Sequence, residues 1–436
     1  MDSGPVRIYS STNVPRLRYT AGIILGDILG LVWEVVSDKR KLGKHPVINY
    51  STENIPGSFK IIPDTLLFET GVSPRDISVD GWKGLPIFFP TSAGSDFPFD
   101  IFAATFFLVS RYEEYLDFQP DEYGRFKASS SLAFKNGFLG IPVVDLWARE
   151  LAKAFLRKFE TLTFKRNEYR TLVTIDSDQP FAYQGKNLFR SIGGLLRHMA
   201  TNENPAGVNR YKIIAKGQKN PFEVFDYITD SIRSNNADAR FFFPVGGHSE
   251  FDKNPSWKNE EYRSLIIRIA GKFKTGLHPS FYASGNSAMI NNEAARLRSI
   301  LKREINISRF HYIRLFMPIS YSYIIKAGIT EDYSMGYPEE PGFRAGIARP
   351  YYFYDISEDQ QTSLKIIPFQ VMDSTLYKYK NHDPAALREI ILGLINETRK
   401  AGGTFVSIWH NTSLIESPDR KGWREVFEFM LKEQIP

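Results

Sequence analysis

The chain has 436 residues, of which 42% are apolar and 24% charged, and this composition is typical of a globular protein with two or three packed domains. Lys and Arg together number 55 against 49 Asp and Glu, so the net charge of +6 is dilute, and no clustered basic patch indicates a nucleic-acid partner. The absence of Cys excludes disulfides, thiolate metal sites and cysteine nucleophiles, which leaves His, Asp and Glu as the possible metal ligands.

The first third of the chain is predicted to form a smaller α+β domain over residues 1–168. Short apolar runs, RIYSS, FKIIPDTLLFE and LPIFF, are separated by clusters of Gly, Pro, Asn and Ser, a pattern typical of strands. Helices are predicted over PFDIFAATFFLVSRYEEYL and VVDLWARELAKAFLRKFE, where apolar residues recur at helical spacing. We interpret the aromatic residues of the first helix as core, and the polar stretch FKRNEYR as the end of the domain.

No part of the N-terminal segment resembles an export signal or a membrane span. Its apolar run, AGIILGDILGLVWEVV, is interrupted by Asp27 and Glu34. From the sequence we therefore expect a cytoplasmic protein without a membrane span.

From Arg170 onward strands and helices alternate, as they do in an α/β layer or barrel. Predicted strands include TLVTID, ARFFFPV, TGLHPSF, ISRFHYIRLF and GTFVSIWHN, and predicted helices include PFEVFDYITDSIRSNN, NEEYRSLIIRIAGKF, NEAARLRSILKREI and DPAALREIILGLINETRKAG. Folds of this kind hold their reactive groups in loops at the carboxyl ends of the strands. We therefore predict a second domain over residues 169–436 with its site at that edge.

Five of these strands end in titratable side chains. Two carboxylates spaced i, i+2 at one strand end point the same way, so their charges need a metal or an arginine nearby to stay ionised. With two histidines added, a divalent metal is the simplest interpretation, although each residue alone is more typical of a turn or of a hydrogen-bonded loop histidine. The candidates are Asp176 and Asp178, His278, His311 with Arg314, Asp332 and His410, while His248 could contact a substrate.

The order of these motifs resembles that of the polysaccharide deacetylase family, carbohydrate esterase family 4, over roughly Tyr169 to the C-terminus. The family's Gly-x-His motif is similar to the segment that ends at His278, but Tyr282 stands where the family has a second histidine. The other similar segments are Thr174-Ile175-Asp176-Ser177-Asp178, which has one residue inserted between the two acids of the family's T-F-D-D, then Arg314 to Pro318, Asp332 and Trp409-His410-Asn411.

Longer strings extend the resemblance to a Bacteroidetes branch of deacetylase-like proteins with an extra N-terminal domain; they are FFLVSRYEEY, GLHPSFYAS, GITEDYSMGY, GFRAGIARPYYFYD and SIWHN. The resemblance implies a distorted (β/α) barrel of about seven strands, preceded by the smaller α+β domain. It also implies a metal-dependent hydrolase, most often a Zn²⁺ enzyme, that removes acetyl groups from an N-acetylated sugar or polysaccharide.

In that family one Asp is the general base, a second Asp and two histidines hold the metal, and a distant His is the general acid. Because Tyr282 replaces one ligand, we expect His311 on the neighbouring strand to supply it, with His248 as the fallback. Carried over by position, the expected base is Asp176, the acid His410, the residues that assist them Arg314 and Asp332, the metal ligands Asp178, His278 and His311, and the substrate contacts His248, Tyr337, Arg344 and Trp409.

Two other functions are left open by the sequence. If no residue replaces the ligand missing at Tyr282, the second domain would be a catalytically silent glycan-binding protein. A metal-free glycoside hydrolase would need paired acids roughly 5 Å or more apart across the glycosidic bond, whereas Asp176 and Asp178 are close together on one strand end. Metal content distinguishes the leading hypothesis from both alternatives.

Overall fold

A computed structural model describes residues 4–180, 224–379, 384–415 and 420–435. The chain divides into two compact units, and each unit is built from several separate stretches. Unit 1 contains Met1–Arg170, Met335–Gln370 and Gly393–Phe405, and unit 2 contains Thr171–Ser334, Val371–Leu392 and Val406–Pro436. The first stretch of unit 1 ends close to the domain boundary predicted at residue 168, and the later returns of the chain to unit 1 have no counterpart in the sequence prediction.

Unit 1 begins with a four-stranded parallel sheet. Ile8 and Ile48 pair across two of its strands, and both are fully buried. The strand predicted in RIYSS is confirmed, whereas the one predicted in FKIIPDTLLFE is confined to its first two residues, because Asp64 caps a separate 3₁₀ turn at Thr65–Phe68. The strands are β1 (Val6–Tyr9), β2 (Trp33–Val36), β3 (Val47–Asn49) and β4 (Phe59–Lys60), in the order β2-β1-β3-β4.

Helices and a short hairpin follow in the same unit. They are α1 (Pro15–Ala21), which continues as a π-helical segment over Gly22–Ile28, the hairpin β5 (Asp80–Trp82) and β6 (Leu85–Ile87), α2 (Ile101–Val109), α3 (Leu132–Lys135) and α4 (Val143–Leu156). The Asp100 carboxylate accepts hydrogen bonds from the N–H groups of Phe102 and Ala103, so α2 begins there. The helix ends earlier than predicted because Arg111 adopts a left-handed conformation, and YEEY forms its own 3₁₀ turn.

Unit 2 alternates strands with helices, as predicted, and its neighbouring strands run parallel from β7 to β11. In chain order the elements are β7 (Arg170–Asp176), α5 (Phe225–Ser234), β8 (Ala239–Phe243), α6 (Glu260–Ala270), β9 (Lys274–Leu277), α7 (Ser287–Leu301), β10 (Ile307–Ser308), α8 (Ile319–Lys326) and β11 (Glu331–Asp332).

After β11 the chain forms an antiparallel hairpin in unit 1, β12 (Tyr351–Asp355) and β13 (Gln360–Ile366). The remaining elements are β14 (Val371–Met372), α9 (Pro384–Ala401), β15 (Thr404–His410) and α10 (Trp423–Glu433). None of the described helices combines the length and the apolar character needed to cross a bilayer.

The strands of unit 2 form an open sheet in the order β11-β10-β9-β8-β7-β15-β14. The prediction of a mixed α/β fold is confirmed, but the described residues do not close a barrel. Closure requires strands that continue their staggered pairing around the full circle. Here the strand order ends at β14, which among the described strands pairs only with β15.

The buried core residues of unit 2 recur along the chain with the period of the strand or helix that contains them. Val173 and Ile175 alternate along β7 and are fully buried, as are Phe241 and Phe243 on β8. Amphipathic helices cover the sheet, and α5 buries Phe225, Ile228 and Ile232 at helical spacing. Because neighbouring strands run parallel, their carboxyl ends meet at one edge of the sheet, where the predicted site residues lie.

A test of this packing is the replacement of Gly276 in β9. A Cβ atom at this position would lie 2.6 Å from the backbone oxygen of Ile307 and 2.9 Å from a ring carbon of Phe242. We expect Gly276→Ala to lower the free energy of unfolding by about 1–3 kcal/mol, because neither strand can move aside freely. Urea denaturation measures the change. The control is Gly247→Ala, where an added Cβ meets no atom within 4 Å, and an equal loss in both variants would contradict the packing.

Candidate functional site

Three predicted metal ligands converge at the carboxyl edge of the unit 2 sheet. Asp178 follows β7, His278 directly follows β9 and His311 lies three residues beyond β10. One ligand atom from each lies within 4.8 Å of the other two. His278 Nε2 is 3.2 Å from Asp178 Oδ1, and His311 Nε2 is 3.4 Å from Asp178 Oδ2. The structure therefore brings the carboxylate and both imidazoles to one point.

Hydrogen bonds to the other ring nitrogen orient each imidazole. His278 Nδ1 lies 2.6 Å from the backbone oxygen of Arg309, and a carbonyl oxygen only accepts, so Nδ1 carries the proton. His278 Nε2 is then free to act as an electron-pair donor. His311 Nδ1 is held in the same way, 2.8 Å from Asp252 Oδ1. Such outer partners fix the tautomer and the ring orientation of metal-binding histidines.

Asp252 was not singled out by the sequence analysis. It is buried in the loop after β8, where its carboxylate also accepts hydrogen bonds from the Ser249 hydroxyl at 2.7 Å and from the Phe281 N–H at 3.1 Å. One carboxylate thus orders the loops that follow β8, β9 and β10. No spacing rule identifies it, because Asp252 and His311 are 59 residues apart in the chain.

Charges within the cluster stabilise its ionised forms. Burial alone would raise the pKa of Asp178, but the nearby His311 charge and the contacts with both imidazoles hold it well below its ordinary value. Burial would lower the pKa of His311, but Asp178 and Asp252 outweigh it and raise that pKa to about 10. The carboxylate is therefore ionised at neutral pH, as a metal ligand must be, whereas His311 would have to release its Nε2 proton when an ion binds.

The donor set fits a divalent cation such as zinc. In a tetrahedral site with ligand distances of about 2.0–2.2 Å, neighbouring ligand atoms lie about 3.3–3.6 Å apart. The separations of 3.2 and 3.4 Å in this cluster are close to that range and involve different oxygens of Asp178. Two buried atoms, Asp178 Oδ1 and His278 Nε2, have no hydrogen-bond partner among the described protein atoms. Three protein ligands also leave one position open for water or substrate, as catalytic zinc sites do.

Beside this cluster, Asp176 is buried and paired with an arginine. Arg309 Nη1 lies 3.1 Å from Asp176 Oδ1 and donates a second hydrogen bond to the Thr174 hydroxyl at 2.6 Å. Arg309 Nε donates to the backbone oxygen of Tyr333, so the guanidinium is held on both sides. Asp176 is thus paired with an arginine, whereas Asp178 faces the imidazoles.

His410, at the end of β15, reaches both carboxylates. Its Nε2 is 4.0 Å from Asp176 Oδ2 and 3.7 Å from Asp178 Oδ2. Its Nδ1 lies 2.6 Å from Asp373 Oδ1, and its backbone N–H donates to the same carboxylate. Burial would lower the pKa of His410, but Asp373 and the two facing carboxylates raise it to about 9, so the imidazole is protonated at neutral pH.

Other residues that the sequence predicted for the site lie in the surrounding loops and have different partners. Arg314 donates to the Phe281 backbone oxygen and the Ser284 hydroxyl, and Arg309 is the arginine that reaches Asp176. Asp332 is buried with Ser308 and Ser334, and burial raises its pKa to about 6. Two further side chains, those of His248 and Tyr282, are exposed, and the Tyr282 hydroxyl donates to Glu250.

Three predicted substrate contacts are interior residues. The Trp409 indole is buried and donates to Met430 Sδ at 3.3 Å. In unit 1, the Arg344 guanidinium pairs with Glu114 at 2.7 Å, and the Tyr337 hydroxyl accepts a hydrogen bond from Arg111. Each of these side chains is at most 3% exposed, so a substrate in an open cleft has no access to them.

Comparisons with known proteins give one family match and several distant structural similarities. Residues 6–160 match a family of unknown function, DUF7033. No curated protein matches the chain. A candidate polysaccharide deacetylase from Mycobacterium smegmatis is 12% identical, with a TM-score of 0.40, over 62% of this chain and 84% of that chain.

Two other similar structures come from Bacillus. The polysaccharide deacetylase of Bacillus cereus is 14% identical, with a TM-score of 0.28, over 62% of this chain and 88% of that chain. A carbohydrate esterase family 4 pseudoenzyme from Bacillus anthracis is 10% identical, with a TM-score of 0.27, over 62% of each chain. At these scores none of the similarities assigns an activity to the chain, and the resemblance to a Bacteroidetes branch stays a prediction.

The candidate metal centre can be tested by replacing Asp252, the residue that orients the predicted ligand His311. We expect the purified protein to carry close to one divalent ion per chain, measured by elemental analysis. Asp252→Asn should weaken the affinity about 10–100-fold, because the His311 ring loses its anionic partner. Competition with a chromophoric chelator measures the affinity. The control is Asp230→Asn, an exposed carboxylate on α5. Unchanged affinity in a His311→Ala variant would exclude His311 as a ligand.

Proposed function

We propose that unit 2 is a metal-dependent hydrolase that removes an N-acetyl group from an amino sugar or a polysaccharide. The observation that carries the proposal is the convergence of two differently partnered carboxylates with three oriented histidines. Asp178 faces His278 and His311, while Asp176 is paired with Arg309. The acetylated sugar as substrate rests on the sequence resemblance to polysaccharide deacetylases.

Asp178, His278 and His311 would hold the metal. An amide carbonyl is a poor electrophile, and a divalent ion bound here would polarise it and lower the pKa of the attacking water. His311, in the loop after β10, would then supply the ligand that is missing where Tyr282 replaces the family's second histidine. This part of the proposal is supported by the ligand separations of 3.2 and 3.4 Å.

Asp176 would act as the general base. A base needs a free oxygen that can accept a proton, and the buried Arg309 guanidinium holds the other oxygen of this carboxylate at 3.1 Å. Asp176 Oδ2, the oxygen not bonded to Arg309, lies 4.0 Å from both His278 Nε2 and His410 Nε2. This oxygen would accept the proton of a water that attacks the acetyl carbonyl. Arg309 thus takes the orienting role expected of Arg314.

His410 would act as the general acid. Asp373 holds its Nδ1 side, so the proton on Nε2 faces the two site carboxylates. The amine of an amide leaves only when its nitrogen is protonated, and an imidazolium within reach supplies that proton. Asp373 stabilises the charged ring before transfer, as a carboxylate does for a catalytic histidine.

Removal of the acid tests the assignment of roles. We expect His410→Ala to lower kcat by roughly 10²–10⁴-fold on N-acetylated amino-sugar oligomers, because the leaving amine loses its proton donor. Acetate release measures activity, and elemental analysis should show unchanged metal content. His45→Ala in unit 1 is the matched control. Loss of metal from His410→Ala would make it a ligand, and a fully metal-loaded wild type without activity on any acetylated sugar would favour the silent glycan binder.

A second test compares two arginines. Arg309→Lys keeps the charge but loses the planar group whose Nε bonds Tyr333 while its Nη1 bonds Asp176 and Thr174, so we expect kcat to fall by roughly tenfold or more with metal content unchanged. Arg314→Lys should have a smaller effect, because its hydrogen bonds go to Phe281 and Ser284. Steady-state kinetics measures both. A larger loss in Arg314→Lys than in Arg309→Lys would return the orienting role to Arg314.

A further inference from the structure

Unit 1 contains a cavity whose lining is strongly basic. Its volume is about 640 Å³, and it is lined by residues from four separate segments of the unit, near 26–27, 165–170, 349–365 and 402–404. Five lining residues are cationic and two are acidic, so the cavity has three positive charges in excess. The whole chain has a net charge of only +6. The charge is therefore concentrated at this cavity, where it attracts anions.

Most of the lining cations are available to a ligand. Arg349 is an exception, because it is paired with Asp145 and donates to Asn167. The other four have no carboxylate within 4.0 Å in the described part of the chain; they are Lys165, Arg166, Arg170 and Lys365. Unpaired cations around a concave surface favour a ligand with more than one negative charge.

A carboxylate already lies among these cations. Burial raises the pKa of Asp27, while the charges of Arg349, Lys165 and Lys365 oppose that rise. The three cations therefore act on one region of space from two of these chain segments. Asp27 reduces the positive potential there, so its charge should weaken the binding of an anion.

The cavity walls are fixed by backbone hydrogen bonds. Lys165 N–H donates to the Leu29 oxygen at 2.9 Å, and Arg170 N–H donates to the Gly403 oxygen at 2.9 Å. Gly402 has a φ of +60°, and a Cβ there would lie 2.8 Å from the Asn167 side chain, so only glycine permits this approach. A wall held in this way binds a ligand without first having to become ordered.

One aromatic ring is exposed at the same cavity. Tyr352 on β12 is 41% exposed, and Lys365 Nζ lies 5.8 Å from the centre of its ring. The Tyr19 hydroxyl donates to the Tyr352 backbone oxygen, which helps to fix the backbone that carries the Tyr352 ring. A tyrosine ring beside unpaired cations can stack on the planar or apolar face of a ligand whose charge lies next to that face.

We propose that this cavity binds a phosphorylated small molecule, with the phosphate among Lys165, Lys365 and their neighbours and the attached ring on Tyr352. The proposal is independent of the metal centre in unit 2. The features recognised would be a phosphate group and an attached ring, and both sugar phosphates and nucleotides contain them. The two sources are distinguished by titrating both kinds of ligand.

The experiment is calorimetric titration of the full chain with glucose 1-phosphate and with AMP, using glucose and adenosine as uncharged counterparts. We expect saturable binding of at least one phosphorylated compound and none of its counterpart. A double variant that combines Lys165→Ala and Lys365→Ala should bind the phosphorylated compound roughly tenfold or more weakly, because two charge-assisted contacts are lost. The control double variant combines Lys44→Ala and Arg157→Ala. It removes the same charge from exposed positions outside the cavity lining and should change the affinity less than twofold.

Two further variants sharpen the result. Asp27→Asn should strengthen binding severalfold, because it removes the competing charge, and Tyr352→Ala should weaken binding of the preferred ring-bearing ligand. Equal weakening by both double variants would show a non-specific charge effect and overturn the proposal. Absence of saturable binding of either phosphorylated compound would also overturn it. Loss of binding in His278→Ala would place the phosphate at the metal centre instead, whereas retained binding supports the cavity whatever the activity of unit 2.

Discussion

The arrangement of unit 2 depends on how three imidazoles are held around two carboxylates. Each histidine has its Nδ1 atom fixed by an acceptor outside the cluster, so each directs Nε2 inward. His278 uses a backbone oxygen, His311 uses Asp252 and His410 uses Asp373. Without these partners the rings could rotate or change tautomer, and the donor atoms would no longer meet.

The strand ends were predictable from the sequence, and the partners of the histidines mostly were not. Asp176, Asp178, His278 and His410 follow apolar runs, and parallel strands bring such positions together. Asp373 also follows a strand, β14, but two residues give too weak a pattern to identify it. The Arg309 contact was missed for a different reason. β10 ends at Ser308, earlier than the predicted strand, and the positive φ values of the two residues after His311 turn the chain away.

In unit 1 the sequence predicted the main local elements but not their long-range partners. Arg344 and Glu114 are 230 residues apart, and both are buried because each satisfies the other. From sequence alone an arginine in GFRAG is equally compatible with a substrate contact or with an interior ion pair. The same holds for Tyr337, whose hydroxyl accepts from Arg111. Local patterns determine periodicity and caps, whereas the burial of a charge depends on a partner from another part of the fold.

The metal centre also has a consequence for the stability of unit 2. Burying carboxylates and imidazoles opposes folding unless every charged or polar atom finds a partner. In this cluster Asp178 Oδ1 and His278 Nε2 are buried and 3.2 Å apart, and neither has a hydrogen-bond partner among the described protein atoms. Apolar side chains of similar volume would pack here without that cost, so the arrangement serves binding and not folding. An ion that binds only the folded chain stabilises it by mass action, so the metal binding proposed for unit 2 would be coupled to its folding through these two atoms.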